Sequence, residues 1–126
     1  MFEDRPGVFI VEDEPLVLAD LEDTLTDLGY RVAHKARNLV DGLILAQQRD
    51  IQVAILDVNL SGLSSARIAD TLDERNIPFL LVTGYGPGNV PHRLKDVLCL
   101  AKPVENAALG KALDDLLRKA PTGQPN

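Results

Sequence analysis

Several polar residues of this chain follow directly after short apolar runs, and their types could do chemistry together. Asp57 ends the apolar run at residues 51–56, which is typical of a buried strand in a parallel sheet. Similar runs at residues 8–11, 79–82 and 97–101 lead into Glu12 and Asp13, into Thr83 and into Lys102. Because open α/β sheets place their chemistry at the carboxyl ends of the strands, we expect these side chains to form one site.

The residue types at these strand ends indicate phosphoryl transfer. The carboxylates of Glu12, Asp13 and Asp57 would lie close together in one shallow pocket. Like-charged carboxylates at short distance raise one another's pKa unless a cation lies between them. Oxygen ligands with room for water suit Mg²⁺, with Mn²⁺ as an alternative. Lys102 adds a positive charge and Thr83 adds a hydrogen-bond donor. A carboxylate nucleophile, a divalent cation, a lysine and a hydroxyl are what phosphoryl transfer to an aspartate requires.

The segments between these runs predict the elements that position the site. Leucines at helical spacing predict a first helix that begins near Pro15 and stops at Gly29. A second strand is expected at residues 31–35, and a turn at residues 59–62. A second helix is expected from Asn38 to near Arg49, and a third helix that ends at about Asn76. A fourth helix is expected at roughly 92–96, short or partly irregular, and a fifth over about 105–119. The second helix is expected to carry Val40, Leu43, Ile44 and Ala46 on one side.

Five strands alternating with five helices predict a parallel sheet covered on both faces, a three-layer α/β sandwich. The length fits one domain, expected at residues 7–119, with flexible termini at residues 1–6 and 120–126. Acids outnumber bases 19 to 13, and this net charge of −6 argues against binding to nucleic acid. Neither a membrane-spanning apolar stretch nor a signal peptide is found, and the single Cys99 agrees with a cytoplasmic location.

Four motifs, each after its own predicted strand, resemble the receiver domain of two-component response regulators. They are Val11-Glu12-Asp13-Glu14, Leu56-Asp57-Val58-Asn59-Leu60, Val82-Thr83-Gly84 and Ala101-Lys102-Pro103. The resemblance extends from about Gly7 to Lys119. It implies a flavodoxin-like sheet with the strand order 2-1-3-4-5, and a stand-alone signalling domain rather than a conventional turnover enzyme.

The resemblance also implies a role for each site residue. Asp57 would be the phospho-acceptor, and Asp13 the direct metal carboxylate. Glu12 would hold the metal through water, and Asn59 would bind it through the backbone carbonyl. Thr83 and Lys102 would bind phosphoryl oxygens, and the Lys102–Pro103 bond would be cis.

The partners that the resemblance implies are proteins. A sensor histidine kinase or a histidine phosphotransfer protein would supply the phosphoryl group from a phosphohistidine. The domain would then contact an unidentified downstream protein through its fourth helix, fifth strand and fifth helix, or would relay or store the phosphoryl group. A homodimer stays an open alternative.

The chain departs from the usual receiver pattern in ways that concern signalling. Cys99 stands where receivers carry the aromatic switch residue, and Ser61 and Ser65 replace the usual proline and glycine after the acceptor. The Thr83-Gly84-Tyr85 sequence resembles a receiver subgroup that lacks the switch aromatic. We hypothesise that the segment 84–91, with Gly84 and Tyr85, becomes ordered when the acceptor is phosphorylated.

Three other functions compete with this interpretation. A pseudo-receiver would keep the fold for binding alone. A phosphatase of the haloacid-dehalogenase type would need a second aspartate two residues after the nucleophile, where Asn59 stands. A flavin-binding module would need an anion-cradling loop after the first strand, and the sequence has none there.

Overall fold

The computed structural model describes residues 5–84 and 90–119. Five strands form one parallel sheet, and they are β1 (Gly7–Val11), β2 (Arg31–Ala36), β3 (Val53–Asp57), β4 (Phe79–Thr83) and β5 (Cys99–Ala101). The α-helices of the described residues are α1 (Pro15–Asp27), α2 (Leu39–Leu45), α3 (Ala66–Glu74) and α4 (Asn106–Lys119). The strand order is β2-β1-β3-β4-β5, with every neighbouring pair parallel, which confirms the predicted fold and order.

Each strand feeds side chains into two apolar layers, one on each face of the sheet. In β1, Val8 and Ile10 face one layer while Phe9 and Val11 face the other, and all four are fully buried. The first layer also holds the buried residues of α1 and α4, which are Leu18, Leu21, Leu25, Leu109, Ala112 and Leu113. The second layer holds those of α3, which are Ala66, Ile68, Ala69 and Leu72. Burial on both faces is the reason that β1, β3 and β4 are continuous apolar runs in the sequence, whereas β2, at the edge of the sheet, is half-buried and mixes polar with apolar residues.

The structure differs from the prediction in its helices. The predicted fourth helix is a single 3₁₀ turn at His92–Leu94 in the described part of the chain. The amides of Lys95 and Val97 bind carbonyls three residues back, at 3.1 and 3.0 Å, rather than four. This hydrogen-bonding pattern makes a tight turn that does not continue as an α-helix.

The buried face of α2 also differs from the prediction. Val40 and Ile44 are 65% and 60% exposed, although they were expected on the same side as Ala46, which is buried. Gly42 turns inward instead, and a Cβ placed on it would lie 2.5 Å from Cδ1 of Ile68. Residues two positions from Gly42 point away from α3, because two residues span about 200° of a helix.

Helix α2 ends at Leu45, earlier than the predicted end near Arg49. The guanidinium of Arg75 donates to the carbonyl of Ala46 and, at 2.9 Å, to that of Gln48. These bonds satisfy carbonyls that the end of a helix leaves without intrahelical partners. None of the helices in residues 5–84 and 90–119 has the length and apolar content to cross a membrane.

Tyr30 connects the start of β2 to the last helix. Its side chain is buried, and its hydroxyl donates to Asp114 Oδ1 at 2.8 Å. Burial, together with the Asp114 carboxylate, raises the pKa of Tyr30 from 10.0 to about 12. The neutral phenol is therefore the form that the folded protein stabilises.

We expect Tyr30→Phe to lower the free energy of unfolding by about 1 kcal/mol at neutral pH, because it removes this hydrogen bond and keeps the ring. The raised folded-state pKa means that the contribution of Tyr30 is complete below the unfolded pKa of 10.0 and is lost as the pH rises toward about 12. Urea unfolding at about pH 7 and about pH 11 checks this, and the stability difference between the two proteins should shrink at the higher pH. Equal stability of both proteins at neutral pH would contradict it.

Candidate functional site

The polar residues at the strand ends lie at one edge of the sheet. Asp57 and Thr83 are the last residues of β3 and β4, Glu12 and Asp13 directly follow β1, and Lys102 directly follows β5. The registers of the β1–β3, β3–β4 and β4–β5 pairs bring the ends of these strands level with one another. Side chains from four distant parts of the sequence therefore meet at this edge.

The ammonium group of Lys102 lies between two buried carboxylates. Its Nζ is 2.8 Å from Glu12 Oε1 and 3.1 Å from Asp57 Oδ2, and Glu14 Oε1 lies further away at 3.8 Å. The side chains of Glu12 and Asp57 are 0% and 7% exposed, and that of Lys102 is 14% exposed. With so little water near the pair, the lysine is the main group that offsets the charge of both acids.

Burial and charge shift the pKa values of these groups. Burial raises the pKa of Glu12 from 4.5 to about 7, although the adjacent Lys102 ammonium works in the opposite direction. Burial also raises the pKa of Asp57, against the charge of Lys102. For Lys102 itself, burial favours the neutral amine, but Glu12 and Asp57 outweigh it and raise the pKa. The two buried carboxyls therefore hold their charge less readily than ordinary acids, and the ammonium holds its charge more firmly.

Asp13 has a different environment from the other two acids. It is half-buried, and Ser61 Oγ donates to its Oδ2 at 2.8 Å. Burial alone would raise the pKa of Asp13, but the hydrogen bond from Ser61 and other hydrogen bonds in the cluster hold it below the usual value. Asp13 is therefore the acid of the site that stays charged most easily.

The loop after Asp57 is a tight hairpin, with Asn59–Leu60 paired antiparallel to Leu63–Ser64. Its two turn residues, Ser61 and Gly62, have φ values of 53° and 90°. Positive φ at both central residues is typical of the type I′ turn, which connects twisted strands without splaying them. A proline at position 61 could not adopt this φ.

The acidic residues fit a divalent cation. Ligand oxygens of Glu12, Asp13 and Asp57 lie within 4.8 Å of one another. Among the described residues, Glu12 Oε1 accepts no hydrogen bond of acceptable geometry, although the Lys102 ammonium is 2.8 Å away. Two of these acids, Asp13 and Asp57, line a cleft of ≈ 550 Å³, which Asn59 also lines. Clustered carboxylate oxygens beside an open, water-accessible cleft are what Mg²⁺ requires.

The remaining residues of the predicted site lie in different places. Thr83 is buried, and its carbonyl accepts from the Lys102 amide at 2.9 Å. Gly84 is exposed and lines the cleft. Cys99 is half-buried in β5, where it packs against the apolar layer beneath α3, and burial raises the pKa of its thiol. Tyr85 lies outside the described residues. The Lys102–Pro103 peptide bond is cis.

Sequence reasoning assigned no site role to Glu14 or to Ser61. The amide of Glu14 donates to Glu12 Oε2 at 3.0 Å, and its own carboxylate lines the cleft. Its place directly after the acid pair was a signal that could have indicated this. Ser61 is 48 residues from Asp13 in the sequence, and nothing in a local pattern predicts that contact.

Comparison with known proteins identifies the family. Residues 8–114 match the family model described as the response regulator receiver domain. This match covers most of the chain, and the chain therefore belongs to the receiver-domain family. Receiver domains are signalling domains of two-component systems and are not conventional enzymes.

Two solved structures and one curated protein show the similarity. The structure of SdrG from Sphingomonas melonis Fr1 has a TM-score of 0.80 and 37% identity, over 90% of this chain and 97% of that one. The BeF3-activated conformation of SdrG from Pseudomonas melonis Fr1 has a TM-score of 0.77 and 35% identity, over 90% and 98%. The phyllosphere-induced regulator PhyR of Methylorubrum extorquens is 28% identical over 87% of this chain and 43% of PhyR. The chain spans less than half the length of the curated relatives that it matches.

We expect Lys102→Met to lower the free energy of unfolding by roughly 3–5 kcal/mol at neutral pH, because two buried carboxylates would lose the cation between them. Their folded-state pKa values would then lie well above those of the unfolded chain, so the missing stability should return as the pH falls and they take up protons. Urea unfolding in the presence of EDTA at several pH values measures this. Lys111→Met is the matched control, since Lys111 is 78% exposed in its pair with Asp115 and should change little. Equal effects of the two substitutions would contradict the expectation.

Proposed function

We propose that this receiver domain accepts a phosphoryl group on Asp57 from a phosphohistidine of a sensor histidine kinase or of a histidine phosphotransfer protein. The observation that carries the proposal is the position of Asp57, which reaches the cleft beside Lys102 and within one acidic cluster with Glu12 and Asp13. The phosphorylated domain then acts on a downstream protein through protein contacts, or passes the phosphoryl group on.

The two oxygens of Asp57 have different partners. Oδ1 accepts from the amide of Asn59 at 3.3 Å, and Oδ2 faces the Lys102 ammonium at 3.1 Å. In the proposed transfer, a carboxylate oxygen of Asp57 forms a bond to phosphorus while the bond from phosphorus to the donor imidazole nitrogen breaks. Positioning and charge supply most of the catalysis in such a transfer, because the transition state is loose. Lys102 would stabilise the negative charge that arrives with the phosphoryl group.

The acidic cluster supports a dependence on Mg²⁺. Asp13 and Asp57 would bind the ion directly, Asn59 through its backbone carbonyl, and Glu12 through water. When bound, the ion would supply positive charge that offsets the repulsion among the acids and polarises the phosphoryl oxygens. Mn²⁺ has similar ligand preferences and would serve as a substitute.

The proposed signalling route starts at the residues that touch the phosphoryl group. Lys102 and the Thr83 hydroxyl would turn toward the new oxygens. Thr83 directly precedes Gly84, and Lys102 directly follows β5. Cys99 in β5 is too small for the aromatic movement of other receivers, so we propose that Gly84 and Tyr85 carry the change. The BeF3-activated conformation solved for SdrG supports a phosphorylation-linked change in a similar chain.

We expect incubation with acetyl phosphate and Mg²⁺ to add the mass of one phosphoryl group to the protein, and Asp57→Asn to abolish the addition. Intact-mass spectrometry under mild acid, which preserves an acyl phosphate, measures this. Asp73→Asn is the matched control, because Asp73 is an exposed carboxylate on α3 and should leave the addition unchanged. Excess EDTA should also prevent it. If neither acetyl phosphate nor any histidine phosphodonor adds mass to the wild type, the protein is a pseudo-receiver instead.

We expect beryllofluoride, a phosphoryl mimic, to shift the backbone amide signals of Gly84 and of residues 97–101 in NMR spectra. The reason is that Lys102 and Thr83 would follow the mimic and displace the strand ends that carry these amides. Amides of β2, at the far edge of the sheet, are the internal control and should shift much less. Beryllofluoride binding without any change between residues 84 and 101 would remove the proposed signalling route.

A further inference from the structure

Ser61 donates a hydrogen bond to one oxygen of Asp13, and the hairpin after β3 fixes the position of Ser61. The hydroxyl donates to Asp13 Oδ2 at 2.8 Å from a turn in which Ser61 and Gly62 both have positive φ. The side chain of Asn59 braces the same turn, because its Oδ1 accepts from the Gly62 amide at 2.7 Å. The direction of the Ser61 hydroxyl is therefore set by a tight turn rather than by a loose loop.

The Ser61–Asp13 pair lies between two clefts. One, of ≈ 550 Å³, contains Asp57 and Lys102, and the other, of ≈ 540 Å³, contains Lys35 and Asn38. Asp13 and Ser61 line both clefts, so their contact forms part of the wall between them. Asp13 is also less buried than Glu12 and Asp57, and without this contact it would have more rotational freedom.

We propose that Ser61 is a positioning residue that makes the acidic site prefer Mg²⁺ over Ca²⁺, an inference that rests on the proposed function. The hydroxyl engages Oδ2 of Asp13, so the carboxylate presents a cation with its other oxygen. Mg²⁺ accepts single carboxylate oxygens in a strict octahedral shell, whereas Ca²⁺ readily takes both oxygens of one carboxylate. Two-oxygen binding by Asp13 makes Oδ2 share its electron density between the cation and the Ser61 hydroxyl and turns the carboxylate, which weakens that hydrogen bond, and this penalty falls on Ca²⁺.

Isothermal titration calorimetry with MgCl₂ and with CaCl₂ tests the proposal on the wild type, Ser61→Ala and Ser61→Gly. Both variants lack the hydroxyl, but glycine tolerates the positive φ of this position whereas alanine is strained there. We expect the ratio of the Ca²⁺ Kd to the Mg²⁺ Kd to fall by about tenfold in both, the size typical for loss of a group that orients a metal ligand.

Ser64→Ala is the matched control. Ser64 belongs to the same hairpin, but its hydroxyl accepts from the Ala66 amide at 3.1 Å. The ratio should therefore stay at the wild-type value, whatever happens to the melting temperature. Melting curves without divalent cations identify an effect of stability alone. If stability alone were responsible, Ser61→Ala and Ser61→Gly would differ in melting temperature, and their ratios of the Ca²⁺ Kd to the Mg²⁺ Kd would differ in the same way.

Three results overturn the proposal: a wild-type ratio in both Ser61 variants, an equal fall in Ser64→Ala, or a ratio that follows the melting temperature. Failure of the proposed function gives a different result, in which the wild type binds Mg²⁺ but Asp57 takes no phosphoryl group. The ratio still decides the role of Ser61 in that case. A wild type that binds neither cation overturns both proposals.

Discussion

The arrangement of the site depends on one lysine ammonium held between two buried carboxylates. Lys102 lies 2.8 Å from Glu12 and 3.1 Å from Asp57, although 45 residues separate Lys102 from Asp57 in the sequence. Removing these acids from water costs free energy, and their mutual repulsion adds to that cost. The parallel sheet meets this constraint because its register brings the ends of β1, β3 and β5 to one edge, where a single positive charge reaches both acids.

One lysine does not balance the whole cluster, and this imbalance connects the structure with the proposed chemistry. Asp13 adds a third carboxylate to the same group, and its pKa lies below the usual value while those of Glu12 and Asp57 lie above theirs. Such a site has excess negative charge and opens toward water, a combination that suits a small divalent cation. In the proposed transfer, the incoming phosphoryl group would meet positive charge from Lys102 and from a bound cation rather than bare carboxylates.

The accuracy of the sequence predictions varied with the environment of each element. Strands β1, β3 and β4 were predicted well because burial on both faces makes each of them a short, continuous apolar run. Helix α2 was predicted less well, since apolar spacing suggested that Val40 and Ile44 face the core. Gly42 packs there instead, because its lack of a Cβ allows close approach to Ile68. The 3₁₀ turn at His92–Leu94 lies where the sequence predicts a fourth helix that is short or partly irregular, and its tight hydrogen-bonding pattern keeps it from continuing as an α-helix.

The sequence alone determined which residue types stand at the strand ends, and with them the fold, the family and the acids, threonine and lysine of the predicted site. That was sufficient because a parallel sheet converts position at a strand end into position in space. Only the tertiary structure decided how the members interact: that Ser61 binds Asp13, that Lys102 contacts Glu12 more closely than Asp57, and that the acids of one cluster have pKa values shifted in opposite directions. These properties depend on burial and on contacts between residues far apart in the chain, and no local pattern records them.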